Sequence, residues 1–114
     1  MIRLDVSSNK YHARRTWSEL CHRFFASRAE ATHGEQLRML EMAGAISHLE
    51  YQVPFVLCKQ PKITITIDFR YIIATDEGTH HYVLEDVKGV LTREFRVKLA
   101  WLKEREGYEV QLIR

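Results

Sequence analysis

Hydrophobic and polar positions alternate most cleanly between residues 63 and 71, where Ile63, Ile65, Ile67, Phe69 and Tyr71 interleave with Thr64, Thr66, Asp68 and Arg70. Period two predicts a strand. Upstream, Glu50 to Cys58 reads as a shorter strand, with Pro54 marking an edge or a bend. Gln60-Pro61-Lys62 reads as a turn, Asp76-Glu77-Gly78-Thr79 as a hairpin loop, and His81 to Lys88 as the returning strand. The period changes on both sides of this block. Ser27-Arg28-Ala29-Glu30 has the form of a capping box, and Ala29, His33, Leu37, Leu40 and Ala43 or Gly44 follow at helical spacing. The spacing predicts a helix over roughly 28–43, stopped by Gly44. Thr92 can cap a second helix that presents Phe95, Leu99 and Leu102 on one face and ends at Gly107. Tyr108, Val110 and Leu112 then alternate in a final short strand. Helix, three strands, helix, strand is the pattern of an α/β domain with a mixed central sheet flanked by helices. Residues 1–26 read as a basic N-terminal arm with some local structure, and residues 27–114 as a single domain.

Length and composition agree with one folded domain: 114 residues, 46% hydrophobic and 28% charged. The longest apolar stretches, such as Val53 to Cys58, are far too short to span a membrane. The first residues, Met1 to Asp5, lack the apolar core of a signal peptide, so a cytoplasmic location is the simplest expectation. Cys21 and Cys58 form no close pair and are expected to be reduced, small, buried hydrophobes. No second ligand pair stands at zinc-finger spacing from Cys21-His22, and adjacent His80 and His81 point to opposite strand faces.

The formal charge of +2 says little, but its distribution says more. From Lys10 to Arg28 the bases Lys10, Arg14, Arg15, Arg23 and Arg28 face a single acid, Glu19, among Tyr11, Trp17, Phe24 and Phe25. Such interleaving suits a phosphate backbone with stacking nearby. It equally describes a solvated basic face with its aromatics turned inward, the reading this stretch alone favours.

The hairpin holds the candidate chemistry. A loop centred on Glu77 pairs positions whose numbers sum to 154, which sets Asp68 opposite Asp86, with Lys88 on the same face two residues on. A slip of one residue would destroy this convergence. Two neighbouring carboxylates repel, so one takes a proton or a cation neutralises both. A hard divalent ion with oxygen ligands, Mg²⁺ or Mn²⁺, is the natural partner. Beside them Lys88 suits an electrostatic role toward an attacked phosphodiester better than a base's role. The alternative is a cross-strand salt bridge on a solvated face. Gly89 would permit a tight exit or a close backbone approach.

Asp68 followed by Asp86-Val87-Lys88 resembles the split acidic and D/E-x-K signature of the PD-(D/E)XK nuclease superfamily. The resemblance is closer to its phage and prophage members related to Holliday-junction resolvases. It is carried by Lys10-Tyr11, Phe25 to Glu30, Leu49-Glu50-Tyr51-Gln52, Asp68-Phe69-Arg70 and Glu85 to Gly89, over about positions 10 to 105. It implies an αβββαβ restriction-endonuclease-like core. By the same resemblance Asp68, Asp86 and the Val87 carbonyl would hold the metal, and Lys88 would be the catalytic lysine. Glu30 would match a helix-borne glutamate of the metal site, though it can equally be a helix cap, and Gln52 a strand glutamine near the active site. Ile67 stands where the motif's name has proline, and Trp17 to Arg23 lacks the glycine-containing turn of the pattern.

These readings combine into an expectation: a Mg²⁺- or Mn²⁺-dependent endonuclease acting on DNA, with branched DNA preferred by resemblance only. In a phage-encoded protein the cytoplasm would be the host's. Cutting two strands of a junction symmetrically needs two active sites, hence a homodimer. Lys10, Arg14, Arg15, Arg28, Arg93, Arg96 and Lys98 are the candidate phosphate contacts. Nicking, restriction-like or transposase-type cleavage, or a non-catalytic nucleic-acid-binding module of the same fold, are the alternatives.

Overall fold

The computed structural model describes residues 14–114; the expectations placed on Lys10 and on the rest of residues 1–13 lie outside them. Two compact units divide between Met39 and Leu40.

The N-terminal unit opens with a hairpin where an arm is expected. Strands β1 (Thr16–Ser18) and β2 (Arg23–Phe25) pair antiparallel, with Trp17 opposite Phe24. Residues 19–22 make the turn, and His22 takes the left-handed backbone (φ 56°) where a glycine would be the usual choice. Alternation then sends side chains to opposite faces. Ser18 and Phe25 are buried, whereas Trp17 and Phe24 are exposed, contrary to the expectation that the aromatics turn inward. The Ser18 hydroxyl donates to Glu35 Oε2 at 2.6 Å, which ties the hairpin to helix α1 (Arg28–Met42).

Helix α1 starts as the capping box predicts: Ser27 Oγ accepts from the Glu30 N–H at 3.1 Å. It stops just before Gly44, whose φ of 84° closes the last turn on the Glu41 carbonyl. The buried stripe is displaced from the expected one. Glu30, Ala31, Gly34 and Leu37 are buried, whereas Ala29 and Leu40 are exposed. Leu37 is common to both stripes, and the rest of the buried face carries the small residues Ala31 and Gly34 rather than the larger Leu40.

The C-terminal unit is a four-stranded mixed sheet in the order β3-β4-β5-β6, made of β3 (Ser47–Lys59), β4 (Lys62–Ala74), β5 (His80–Val87) and β6 (Val110–Ile113). The first three strands form an antiparallel meander, and β6 runs parallel to β5. Helix α2 (Arg93–Glu106) makes the crossover that a parallel neighbour requires. Its caps are the predicted ones: Thr92 Oγ1 accepts from the Phe95 N–H, and Gly107 sits at φ 80°. Pro54 lies on edge strand β3, where a missing N–H costs no ladder bond. The core joins Leu57, Ile65, Ile67 and Leu84 of the sheet to Leu102 of α2, with Phe95, Leu99 and Trp101 packed against them. Cys21 and Cys58 are free but only half-buried, short of the full burial expected. Among the described residues no helix is long and apolar enough to cross a membrane.

Candidate functional site

The site grows out of the β4–β5 register. Every observed pair from Phe69↔Glu85 to Ala74↔His80 obeys the sum of 154 that a loop centred on Glu77 dictates. Gly78 (φ 85°) and the Thr75–Thr79 bonds hold that loop. The next positions along are Asp68 and Asp86, and here side chains replace the backbone ladder. The Asp68 N–H donates to Asp86 Oδ1 at 2.9 Å, and the Val87 N–H donates to Asp68 Oδ2 at 2.9 Å. Each carboxylate thus satisfies an amide of the other strand that would otherwise be buried unpaired.

The remaining oxygens differ. Asp68 Oδ1 accepts from Gln52 Nε2 at 3.1 Å. Asp86 Oδ2 has no well-formed hydrogen bond, and its near neighbour is the Lys88 ammonium at 3.3 Å. Asp86 is fully buried and Asp68 is 9% exposed. Burial first, and then the adjacent Asp68 charge, push the Asp86 carboxyl up to about 6, against the pull of the Asp68 N–H and Lys88. A cross-strand salt bridge on a solvated face does not describe this arrangement, because both acids are withdrawn from water.

Two features of the site are not in the sequence pattern. Gln52 has φ 54°, a left-handed backbone inside a strand, between the pairs Tyr51↔Phe69 and Val53↔Ile67. That conformation is costly for a residue with a Cβ and is held by its flanks. On one side Glu50 and Arg70 form a bidentate pair at 2.8 and 2.9 Å, which keeps Glu50 ionised to lower pH; on the other Val53 is buried. Lys88 in turn lies 4.2 Å from the centroid of Phe95 at the start of α2, a cation–π contact that fixes the ammonium. The spacing that marks Phe95 as a core residue gives no signal of this second role. The neighbouring acid, Glu85, points away from the pair and accepts from Tyr71 Oη at 2.7 Å. Burial and that carboxylate push the Tyr71 hydroxyl upward.

Of the predicted residues, Asp68, Asp86, Lys88 and Gln52 are therefore brought together, and Val87 joins them through its N–H. Glu30 belongs to the N-terminal unit, where its N–H is capped by Ser27 and its side chain is buried. Arg14, Arg15 and Arg28 are exposed in that same unit. Arg93 and Arg96 are exposed on α2, where Lys98 pairs with Glu94 at 3.3 Å. A Cβ at Gly89 would meet nothing within 4 Å, so the glycine is not needed to relieve crowding within the chain.

Among the described residues no three His, Cys, Asp or Glu side chains gather into a ligand set. Two carboxylates still fit Mg²⁺, which commonly takes one or two from a protein and completes its shell with water and substrate phosphate. The buried, unsatisfied Asp86 Oδ2 is the donor such an ion would use.

Over residues 8–112 the sequence matches a protein family described as "Protein of unknown function (DUF1064)". No curated protein and no solved structure matches the chain.

Proposed function

We propose that this chain, which belongs to the family described as protein of unknown function (DUF1064), is a metal-dependent DNA endonuclease with its centre at Asp68, Asp86 and Lys88. The observation that carries the reading is the Asp86 carboxylate. It is fully buried beside a second carboxylate, and one oxygen has only an ammonium 3.3 Å away. Burying such a group costs stability unless a cation uses it.

Asp68 and Asp86 would hold Mg²⁺ or Mn²⁺, and the resemblance adds the Val87 carbonyl as a further ligand. The bound ion would supply positive charge to the phosphate and lower the pKa of a water. The chain's own residues do the rest. Gln52 and the Val87 N–H each bond one Asp68 oxygen, so the carboxylate cannot swing away. Lys88, braced by Phe95 and Asp86, presents its ammonium to the charge that develops on the attacked phosphate. Hydrolysis replaces a diester by a phosphate monoester and a hydroxyl. Branched DNA is the substrate that the resemblance implies, and cutting a junction symmetrically would need a homodimer. Arg93 and Arg96, exposed just beyond the catalytic strand, are placed to contact phosphates.

The test is to incubate the protein with four-way junction, flap, duplex and single-stranded DNA in Mg²⁺, Mn²⁺ or EDTA. Cleavage that needs the metal and vanishes in Asp86→Asn supports the proposal. Binding without cleavage of any substrate would leave a non-catalytic nucleic-acid-binding module.

A further inference from the structure

We propose that the outward face of the β1–β2 hairpin is a stacking platform for an unpaired base of a DNA strand, with Trp17 as the stacking ring and Arg15 as the phosphate contact. This goes beyond the carboxylate centre and rests on the nuclease reading only in choosing DNA over RNA.

Strand alternation creates the face. Ser18 and Phe25 turn inward, so Trp17, its cross-strand partner Phe24, Arg15 and His22 turn outward. Trp17 is 43% and Phe24 49% exposed, so two of the three aromatic rings of this strand pair face outward. The rings are braced rather than stacked flat. The indole meets His22 at 5.2 Å and 71°, and Phe24 at 5.0 Å and 66°, while its Nε1 donates to Glu19 Oε2 at 3.0 Å. An indole in contact with two rings and anchored through its N–H has little rotamer freedom left to lose on binding. The Arg15 guanidinium lies 4.3 Å from the Phe24 centroid, so a cation is fixed beside the indole.

A single base and its phosphate match one ring and one guanidinium. The charge points the same way: over residues 14–28, Arg14, Arg15, Arg23 and Arg28 face only Glu19. Aromatic rings flanked by cations are the chemistry by which single strands are bound without sequence readout.

Titrate the full chain, in EDTA, with a short oligothymidylate and with a duplex of equal length, reading tryptophan fluorescence. The expected result is quenching by the single strand at several-fold lower concentration than by the duplex. Trp17→Ala should weaken single-strand binding about 5- to 100-fold by anisotropy, Trp17→Phe should recover part of the loss, and Arg15→Ala should lower the salt slope by about one unit. Equal affinity of wild type and Trp17→Ala for the oligonucleotide, or a quench that follows protein concentration without DNA, overturns the proposal. Because EDTA removes cleavage from the readout, the two readings fail separately. Lost stacking with intact Mg²⁺-dependent cutting sinks the platform alone, and absent cutting with intact stacking sinks the nuclease alone.

Discussion

The Asp68 amide donates to the Asp86 carboxylate at 2.9 Å, at the point where the β4–β5 ladder would place the two residues opposite each other. The acidic pair is thus built into the sheet, which explains how two carboxylates are tolerated almost without solvent. It also makes their ionisation a determinant of stability.

Asp86→Asn should therefore do two things. Cleavage should fall to the level seen in EDTA, while metal-free stability at pH 7.5 should rise. The folded Asp86 carboxyl sits at about 6, above its ordinary 3.8. Its contribution to stability is full below about pH 4 and is lost as pH rises through about 6. The variant removes that loss, on the order of 3 kcal/mol, so melting curves should show a gain at pH 7.5 and little at pH 4.

Mg²⁺ should reverse the same slope in the wild type. An ion bound by ionised Asp86 stabilises the fold by mass action, more at pH 7.5 than at pH 5. Thermal shifts with millimolar Mg²⁺ at the two pH values check this, and an equal shift at both would contradict the ligand role.

Lys88→Met should cost activity and stability together. Losing the ammonium leaves the buried Asp86 charge unpaired, a penalty that applies only where Asp86 is ionised. Cleavage should drop about a hundred- to a thousandfold. The melting temperature should fall at pH 8 and hold at pH 5.

Phe95→Leu separates positioning from charge. The core keeps an apolar side chain, but Lys88 loses its ring contact, worth about 0.5–2 kcal/mol. Turnover should fall several-fold while the melting temperature moves by only a few degrees. Unchanged turnover would mean that the 4.2 Å contact does nothing for Lys88.

Gln52→Gly tests the strand residue that bonds Asp68. It relieves the left-handed backbone while deleting the bond to Asp68. Stability should hold within about 1 kcal/mol, and cleavage should fall.

Much of this was legible from residue order because it is local. Alternation from Ile63 to Tyr71 and a loop centred on Glu77 set the register, and the register alone puts Asp68 opposite Asp86 with Lys88 beside them. Ser27, Thr92 and Gly107 announced the helix ends because caps act within one turn. What escaped depends on partners far apart in the chain or on a single unusual torsion. His22 fills a left-handed position that glycine would have advertised, so the pattern over this stretch shows only an arm with some local structure and not the β1–β2 hairpin. The face that α1 buries, through Ala31, Gly34 and Leu37, is set by what packs against it, which helical spacing by itself does not specify. The bend that brings Gln52 to Asp68, and the packing of α2 that sets Phe95 under Lys88, arise from tertiary contacts. Residue order alone was enough to say which groups meet at the candidate site, because hairpin register is local. Burial decided how strongly the carboxylates interact, because only the assembled fold removes the water that would otherwise screen them.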